Sequence, residues 1–260
     1  REGIATLFQK HPFDVVLHLG AQAGVRYSLE NPFAYIDSNI TGMLSVLEGC
    51  RRTAVKHLIY ASSSSVYGAN TKQPFSVEDR VDAPVSLYAA TKKADELMCQ
   101  TYAHLYRLPS TGLRFFTVYG PWGRPDMAYF KFANSIMAGN TIDVYNHGDM
   151  KRDFTYIDDI VDGIDAILHA PPPTCQGTPP HRVYNLGNNH PEQLMDMIRL
   201  LEMNLGRETN KNFLPMQPGD VYTTYADITS AQRDFGFQPK TSLADGLQKF
   251  CAWYRHYYKM

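Results

Sequence analysis

Asp14-Val-Val-Leu-His-Leu-Gly20 is the stretch on which the fold turns. It is a short, continuous apolar run without the polar alternation of a half-exposed strand, so it predicts a strand covered on both faces. Two runs of the same kind follow, His57-Leu-Ile-Tyr-Ala61 and Thr111-Gly-Leu-Arg-Phe-Phe-Thr117. Between them lie helical patterns, one from about Pro32 to Arg52 and one from Ser86 to about Tyr106, the second preceded by a Pro/Asp-rich loop. Strands alternating with helices of crossover length predict an α/β fold built on a doubly wound parallel sheet with right-handed connections. Beyond Gly120 the pattern loosens. Short strands are expected at Ile142–Tyr145 and Val183–Leu186, a loop at Pro171-Pro-Pro, and helices near 157–169, 191–205, 227–234 and 241–257. That region reads as a smaller lobe over the C-terminal ends of the strands, where folds of this class take their ligands.

The chemistry sits at the end of the second run. His57–Ala61 passes into Ser62-Ser63-Ser64-Ser65 and then Val66-Tyr67-Gly68, and about one helix-length later comes Tyr88-Ala-Ala-Thr-Lys92. A Tyr and a Lys four apart share one helix face, one turn from each other. A lysine ammonium near a phenol favours the phenolate, so Tyr88 is a candidate general base well below the free phenol pKa of about 10. A serine hydroxyl at a strand's C-terminal edge, facing such a tyrosine, suits proton transfer to a substrate alcohol. The plainer alternative is a surface helix that happens to carry both residues.

Composition narrows the class. The chain has 260 residues, 44% of them hydrophobic and 20% charged, enough to bury a substantial core. A formal net charge of −1 gives no reason to expect nucleic acid or an anionic membrane as partner. No apolar stretch approaches the ~20 residues of a membrane span, and no signal peptide is expected. Cys50, Cys99, Cys175 and Cys251 show no CxxC or other metal spacing, which suits free thiols in a reducing cytosol. The nine histidines form no ligand cluster, and His18 at a strand end reads as a packed core histidine. No metal is expected.

A dinucleotide fold normally opens with a strand and a glycine-rich turn that cradles the pyrophosphate at a helix N-terminus. Nothing here fits. Arg1-Glu-Gly-Ile reads as the start of a helix, and Gly20-Ala-Gln-Ala-Gly24 has the wrong spacing. The expectation is an N-terminally truncated fold short of roughly 60 residues, or about two βα units. Val15, Val16, Leu17 and Leu19 would then lie on an exposed apolar edge prone to aggregation.

With these motifs quoted, a resemblance can be named. From Asp14 to its C-terminus the chain resembles the extended short-chain dehydrogenase/reductases of the NAD-dependent epimerase/dehydratase family. Among them it is most similar to the UDP-glucuronate 4-epimerases. The residues that carry this are His18–Ser28, Ser62–Gly68, Tyr88–Lys92, Leu113–Pro121, Trp122-Gly-Arg-Pro-Asp-Met-Ala128, Arg152-Asp-Phe-Thr-Tyr-Ile-Asp-Asp159 and Gln217-Pro-Gly-Asp220.

The resemblance implies residues 1–120 as a partial, Rossmann-like NAD-binding domain and residues 121–260 as a sugar-nucleotide lobe that returns elements to it. It implies NAD as an internal redox reagent, bound weakly or not at all if the pyrophosphate turn is missing. It further implies 4-epimerisation of UDP-glucuronate to UDP-galacturonate through a 4-keto sugar. Tyr88 and Ser63 would serve the sugar 4-hydroxyl, with Ser64 as the alternative serine, and Lys92 would hold the nicotinamide ribose. Leu19, Gly20, Ala21, Gln22 and Ala23 match the segment lining the cofactor, Gly20 and Ala21 suiting close backbone approach. Ser38 and Phe116 match further cofactor contacts.

Val25, Arg26 and Thr117 match substrate contacts, and Arg152 matches the diphosphate arginine. Tyr145 matches an aromatic that stacks on uracil, with Asp143 close by, and Gln217 and Asp220 match a second diphosphate and ribose segment. Arg124 would clamp the uronate carboxylate. Each has a structural alternative: Arg152 paired with Asp153 or Asp159, Tyr145 in the lobe core, Asp143 on a solvated turn, Arg124 paired with Asp126.

Related dehydratases and decarboxylases usually carry an acid between the catalytic Ser/Thr and Val-Tyr-Gly, where Ser64 and Ser65 stand here, and that favours epimerisation. The competing readings are a UDP-glucose or UDP-N-acetylhexosamine 4-epimerase, and a truncated, non-catalytic sugar-nucleotide-binding fragment. The family's habit implies a cytoplasmic homodimer joined through helices that include the Tyr88–Lys92 helix.

Overall fold

The structure, a computed structural model, describes residues 1–216 and 222–260. The chain divides into two compact units. One comprises Arg1–Phe115, Ile164–Leu186 and Ile228–Phe237; the other comprises Phe116–Gly163, Gly187–Asp227 and Gln238–Met260.

The first stretch of chain builds α1 (Glu2–Lys10), β1 (Val15–His18), α2 (Tyr27–Glu30), α3 (Pro32–Tyr35) and α4 (Gly42–Thr53). It continues through β2 (His57–Ser63), α5 (Leu87–Tyr106) and β3 (Ser110–Phe115). Next come β4 (Thr117–Tyr119), α6 (Ala128–Ala138), β5 (Ile142–Val144), β6 (Lys151–Tyr156) and α7 (Ile157–Leu168). After β7 (His181–Leu186) follow β8 (Pro191–Gln193), α8 (Leu194–Leu205), β9 (Lys211–Phe213) and β10 (Thr223–Thr224). Helices α9 (Thr229–Phe235) and α10 (Leu243–Tyr258) complete the chain.

In the first unit, β1, β2, β3 and β7 form one parallel sheet in that order. This is the α/β parallel architecture that the apolar runs predict. Leu58, Ile59 and Tyr60 of β2 are all sealed from solvent, as a strand covered on both faces must be. Leu58 and Tyr60 point to one side and pack with Phe8 of α1, Leu47 and Cys50 of α4, and Cys99 of α5. Among the described residues β1 pairs with β2 alone; Val15, Leu17 and Leu19 are exposed and Val16 is half-buried. Helix α5 starts where Ser86 Oγ accepts from Ala89 N (3.1 Å), satisfying one of the open first-turn donors. It ends at Arg107, whose positive φ of 57° turns the chain out of the helix.

In the second unit, β10, β6 and β4 are parallel, and β8 adds to β6 antiparallel. β5 pairs with β9. The core packs Tyr119, Tyr129, Phe130, Phe154, Ile198 and Phe250 from β4, α6, β6, α8 and α10.

Three elements differ from the sequence reading by an internal break or by more than two residues at an end. The expected strand Thr111–Thr117 is two strands: β3 stops at Phe115, the amide of Val118 donates back to Phe116 O (2.9 Å), and β4 joins a different sheet. A run of strand-forming residues hides such a kink because periodicity does not register a backbone turn. The expected helix from Pro32 to Arg52 is interrupted by a π turn over Ile36–Thr41, which widens the helix and aims Asn39 inward. The helix expected from 191 begins at Leu194, because Pro191–Gln193 pair with β6.

Candidate active site

Within the first unit, the serine strand and the Tyr88–Lys92 helix are tied directly. Lys92 is 3% exposed, and its Nζ donates to Ala61 O of β2 (2.8 Å) and to Asp95 Oδ2 (3.2 Å). Ala61 immediately precedes the serines, so this bond fixes their distance from the first turn of α5. Ser62 and Ser63 then point to opposite faces. Ser62 Oγ donates to Glu96 Oε1 (2.7 Å) in the helix layer. Ser63, buried and extended, accepts from Ser65 N (3.1 Å) and donates to Ser65 Oγ (3.1 Å), capping the tight turn Ser64–Tyr67. Ser64 lies in that turn, beyond the end of strand alternation.

Tyr88 is half-buried, its ring edge-on to Tyr35 at 6.1 Å and 74°. Its carbonyl accepts from Thr91 Oγ1 (2.8 Å). Tyr35 Oη in turn donates to Gly24 O (2.5 Å), at the far end of the 19–23 segment. Asn39 binds that segment through both backbone polar groups of Gln22. Its Oδ1 accepts from Gln22 N (2.8 Å), and its Nδ2 donates to Gln22 O (3.1 Å) and to Thr91 Oγ1 (2.9 Å). Leu19, Gly20 and Ala21 face solvent, Gln22 and Ala23 are half-buried, and Val25, Arg26 and Ser38 are exposed. Gly20 is not required by the chain's own packing: a Cβ there would meet only the His18 ring, at 3.6 Å. A glycine kept beside open space, on a segment pinned by Asn39 and Tyr35, suits close approach by a flat ligand group. This open segment, with Lys92 and Tyr88 on the adjoining helix, has the chemistry to hold part of NAD.

Beneath Ser62 lies an ion pair that the sequence reading missed. Arg114 Nε and Nη2 bind Glu96 Oε1 and Oε2 at 2.8 and 2.9 Å, and Arg114 Nη1 donates to Tyr67 Oη (3.1 Å). Tyr67 Oη donates on to Asn185 Oδ1 (2.7 Å). Burial works against the Glu96 carboxylate, and the arginine's bonds and charge outweigh it, holding the carboxyl below its ordinary range. The signal was readable: a charged residue inside the apolar run Thr111–Thr117 demands a buried counter-charge. Asn39 gave no such signal, because its role depends on the π turn.

Burial, helped by the Lys92 charge, lowers the His18 pKa, so the ring is neutral near neutral pH. Cys50, Cys99 and Cys251 are buried free thiols and Cys175 is an exposed one.

In the second unit, Phe116 is buried and Thr117 half-buried on β4. Arg124 is exposed and lays its fork on Asp126, Nε to Oδ1 at 2.9 Å and Nη2 to Oδ2 at 2.6 Å. The arginine's hydrogen bond, against burial, lowers the Asp126 carboxyl. Asp143 is exposed on β5 and accepts from Asn212 Nδ2 (2.8 Å), a strand position and not a turn. Tyr145 is half-buried against the unit's core. Arg152 on β6 donates through Nη1 to Lys151 O (2.8 Å) and Tyr222 O (3.1 Å).

Its neighbour Asp153 accepts from the amides of Asn188 (2.5 Å), Asn189 (3.1 Å) and Ala226 (2.9 Å) and from Thr155 Oγ1 (3.0 Å). Asp159 accepts from the amides of Lys240 and Thr241. Gly187 is forced at this junction, since a Cβ would lie 2.9 Å from Asp153 Oδ2 and 2.6 Å from Ala226 Cβ. Gln217 and Asp220 lie outside the described residues.

Comparison with known proteins gives consistent results. Residues 1–187 match the NAD dependent epimerase/dehydratase family. Protein CapI of Staphylococcus aureus is 53% identical over 99% of this chain and 80% of its own length. A probable UDP-glucuronate 4-epimerase of Rhizobium meliloti is 49% identical over 95% of this chain and 76% of its own. The crystal structure of UDP-glucuronic acid 4-epimerase from Bacillus cereus, in complex with UDP-glucuronic acid and NAD, superposes with a TM-score of 0.88. The two share 35% identity over 98% of this chain and 79% of that one.

Proposed function

Because this chain belongs to the NAD-dependent epimerase/dehydratase family, we propose that it interconverts UDP-glucuronate and UDP-galacturonate by NAD-dependent epimerisation at C4. The observation that carries the chemistry is the bond from Lys92 Nζ to Ala61 O, which ties the Tyr88 helix to the serine strand. NAD, held by the 19–23 segment and Lys92, would supply the hydride chemistry at C4. Tyr88 accepts the proton of the sugar 4-hydroxyl and later returns it. Ser63 Oγ hydrogen-bonds the same oxygen, and the Lys92 ammonium favours the phenolate.

In the second unit Thr117 contacts the sugar, Tyr145 stacks on uracil beside Asp143, and Arg152 binds the diphosphate, the role also proposed for Gln217 and Asp220; in the first unit Val25 and Arg26 are substrate contacts. In the first unit Ser38 lines the cofactor with Leu19, Gly20, Ala21, Gln22 and Ala23; in the second, Phe116 is a cofactor contact. The cofactor positions thus lie in residues 1–120, and the uracil and diphosphate positions in residues 121–260.

Arg124 reads the uronate. Oxidation at C4 makes a β-keto acid, which loses CO₂ when its carboxylate lies perpendicular to the ketone plane, and a bidentate guanidinium holds it out of that alignment. To do so Arg124 exchanges Asp126 for the substrate, an exchange made easy by the exposure of both partners (46% and 55%). That same pairing with Asp126 favours the second reading, a UDP-glucose or UDP-N-acetylhexosamine 4-epimerase in which Arg124 has no ligand role. No described helix is long and apolar enough to cross a membrane. The protein acts in the cytoplasm as a homodimer, α5 presenting exposed Leu97, Leu105 and Tyr106 for pairing; light scattering measures the mass. Incubating the purified protein with NAD and UDP-glucuronate tests the function. UDP-galacturonate is the expected product, and its absence while UDP-glucose is epimerised selects the second reading.

A further inference from the structure

Two carboxylates follow Lys92 on α5, and their surroundings differ. Glu96 is saturated, with Arg114 on both oxygens and Ser62 on one. Asp95 is not. Its Oδ2 meets Lys92 Nζ at 3.2 Å, while its Oδ1 is sealed from solvent and has no hydrogen-bond partner among the described residues. An unsatisfied oxygen on a residue 1% exposed is unfavourable. A carboxylate kept in such a place, facing one lysine, has its purpose in that lysine.

We propose that Asp95 is a positioning residue for the proton transfer: it anchors Lys92 and offsets the pull of the ammonium on Tyr88. The inference rests on the reading of Tyr88 as proton acceptor. Ala61 O and Asp95 Oδ2 hold the ammonium from two different elements, β2 and α5, so its position is defined from both. An uncompensated ammonium one helical turn from Tyr88 would make the phenol strongly acidic, and a carboxylate at 3.2 Å tempers that charge. Epimerisation needs this restraint, because the same phenol must take a proton and give it back. A phenol made too acidic does the first readily and the second poorly.

The other groups around the pair leave Asp95 as the variable charge. His18 faces Lys92 from β1 and is lowered by burial. Tyr60 faces from β2 and Cys99 from α5, both raised by burial and so neutral near neutral pH. Glu96 is compensated by Arg114 of β3 and by Lys93. Asp95 itself is pushed up to about 6 by burial, against the attraction of Lys92.

Asp95→Asn keeps an oxygen for Lys92 and deletes the charge. Phenolate absorbance is titrated in the substrate-free parent and in D95N, each read against its own Tyr88→Phe counterpart so that Tyr88 alone is counted. We expect the Tyr88 midpoint to fall by about one pH unit in D95N, the effect of one charge across about 10 Å of helix rise at an effective dielectric near 20. The acid limb of kcat on UDP-glucuronate moves the same way, and Asp95→Glu restores the parental midpoint. An unmoved midpoint overturns the proposal. So does a loss of kcat that is uniform with pH, which is what a merely structural role produces. Full activity in Tyr88→Phe overturns the functional reading and the mechanistic part with it; the substrate-free titration distinguishes that failure from a failure of the Asp95–Lys92 coupling.

Discussion

The side chains assigned to chemistry and those assigned to recognition are held in different ways. Lys92, Asp95, Glu96 and Arg114 are each at most 3% exposed, and each is bonded to a partner in the same buried layer. Arg124 and Asp143 are exposed and bonded to near neighbours, Asp126 and Asn212. Buried charge is tolerable only when partnered, and the partners set its geometry before any ligand arrives; Asp95, with one oxygen on Lys92, is the least satisfied of the four. Exposed pairs are worth little and exchange partners readily. Proton transfer needs the first condition, and reading a charged substrate needs the second.

The largest effect that tests this contrast is Tyr88→Phe, which removes the proton acceptor and should lower turnover by about 10²–10⁴-fold in a coupled epimerase assay. Full activity would break the chemical half of the comparison. Arg114→Met should come next. It strands Glu96 in a buried site and should cost about 3–5 kcal/mol in denaturant unfolding; a cost like that of a surface pair would show that the layer is not preorganised.

Asp95→Asn sharpens the same point through pH. The folded carboxyl stands at about 6, above its unfolded value of about 4. A raised carboxyl stabilises the fold below the unfolded pKa, and that contribution is lost as pH rises through about 4 to 6. The variant lacks this loss, so its stability relative to the parent should grow by about 3 kcal/mol across that window. A difference constant with pH would show that Asp95 does not titrate as described.

On the recognition side the effects should be smaller. Arg124→Ala should lose about 1.5–3 kcal/mol of transition-state binding with UDP-glucuronate and far less with UDP-glucose, read from kcat/KM. It should also release a 4-keto pentose by decarboxylation. Equal losses on both sugars, without pentose, favour the second reading. Smallest is Asp126→Asn, which should change unfolding stability by less than about 1 kcal/mol because the pair is exposed. A large loss would place Arg124–Asp126 with the structural pairs and end the distinction between the two regions.

Much of this was legible in the chain itself. The apolar runs at 14–20 and 57–61 and the crossover-length helices between them determine a parallel α/β sheet, since strands without alternation need cover on both faces. Tyr88-x-x-x-Lys92 determines its own geometry, because helix periodicity places the two side chains one turn apart. The arginine inside the apolar run Thr111–Thr117 demanded a buried counter-charge, but only the structure names Glu96 as that partner. What tertiary structure alone decided are the facts that depend on contacts distant in sequence. The break at Phe116 sends β3 and β4 to different sheets, and the π turn turns Asn39 onto Gln22. Lys92 donates to Ala61 O, 31 residues away, and Asp95 is left with one oxygen on that lysine and one without a hydrogen-bond partner among the described residues. Periodicity reports which way a side chain points along its own element. Which atom it meets there is set by how the elements pack.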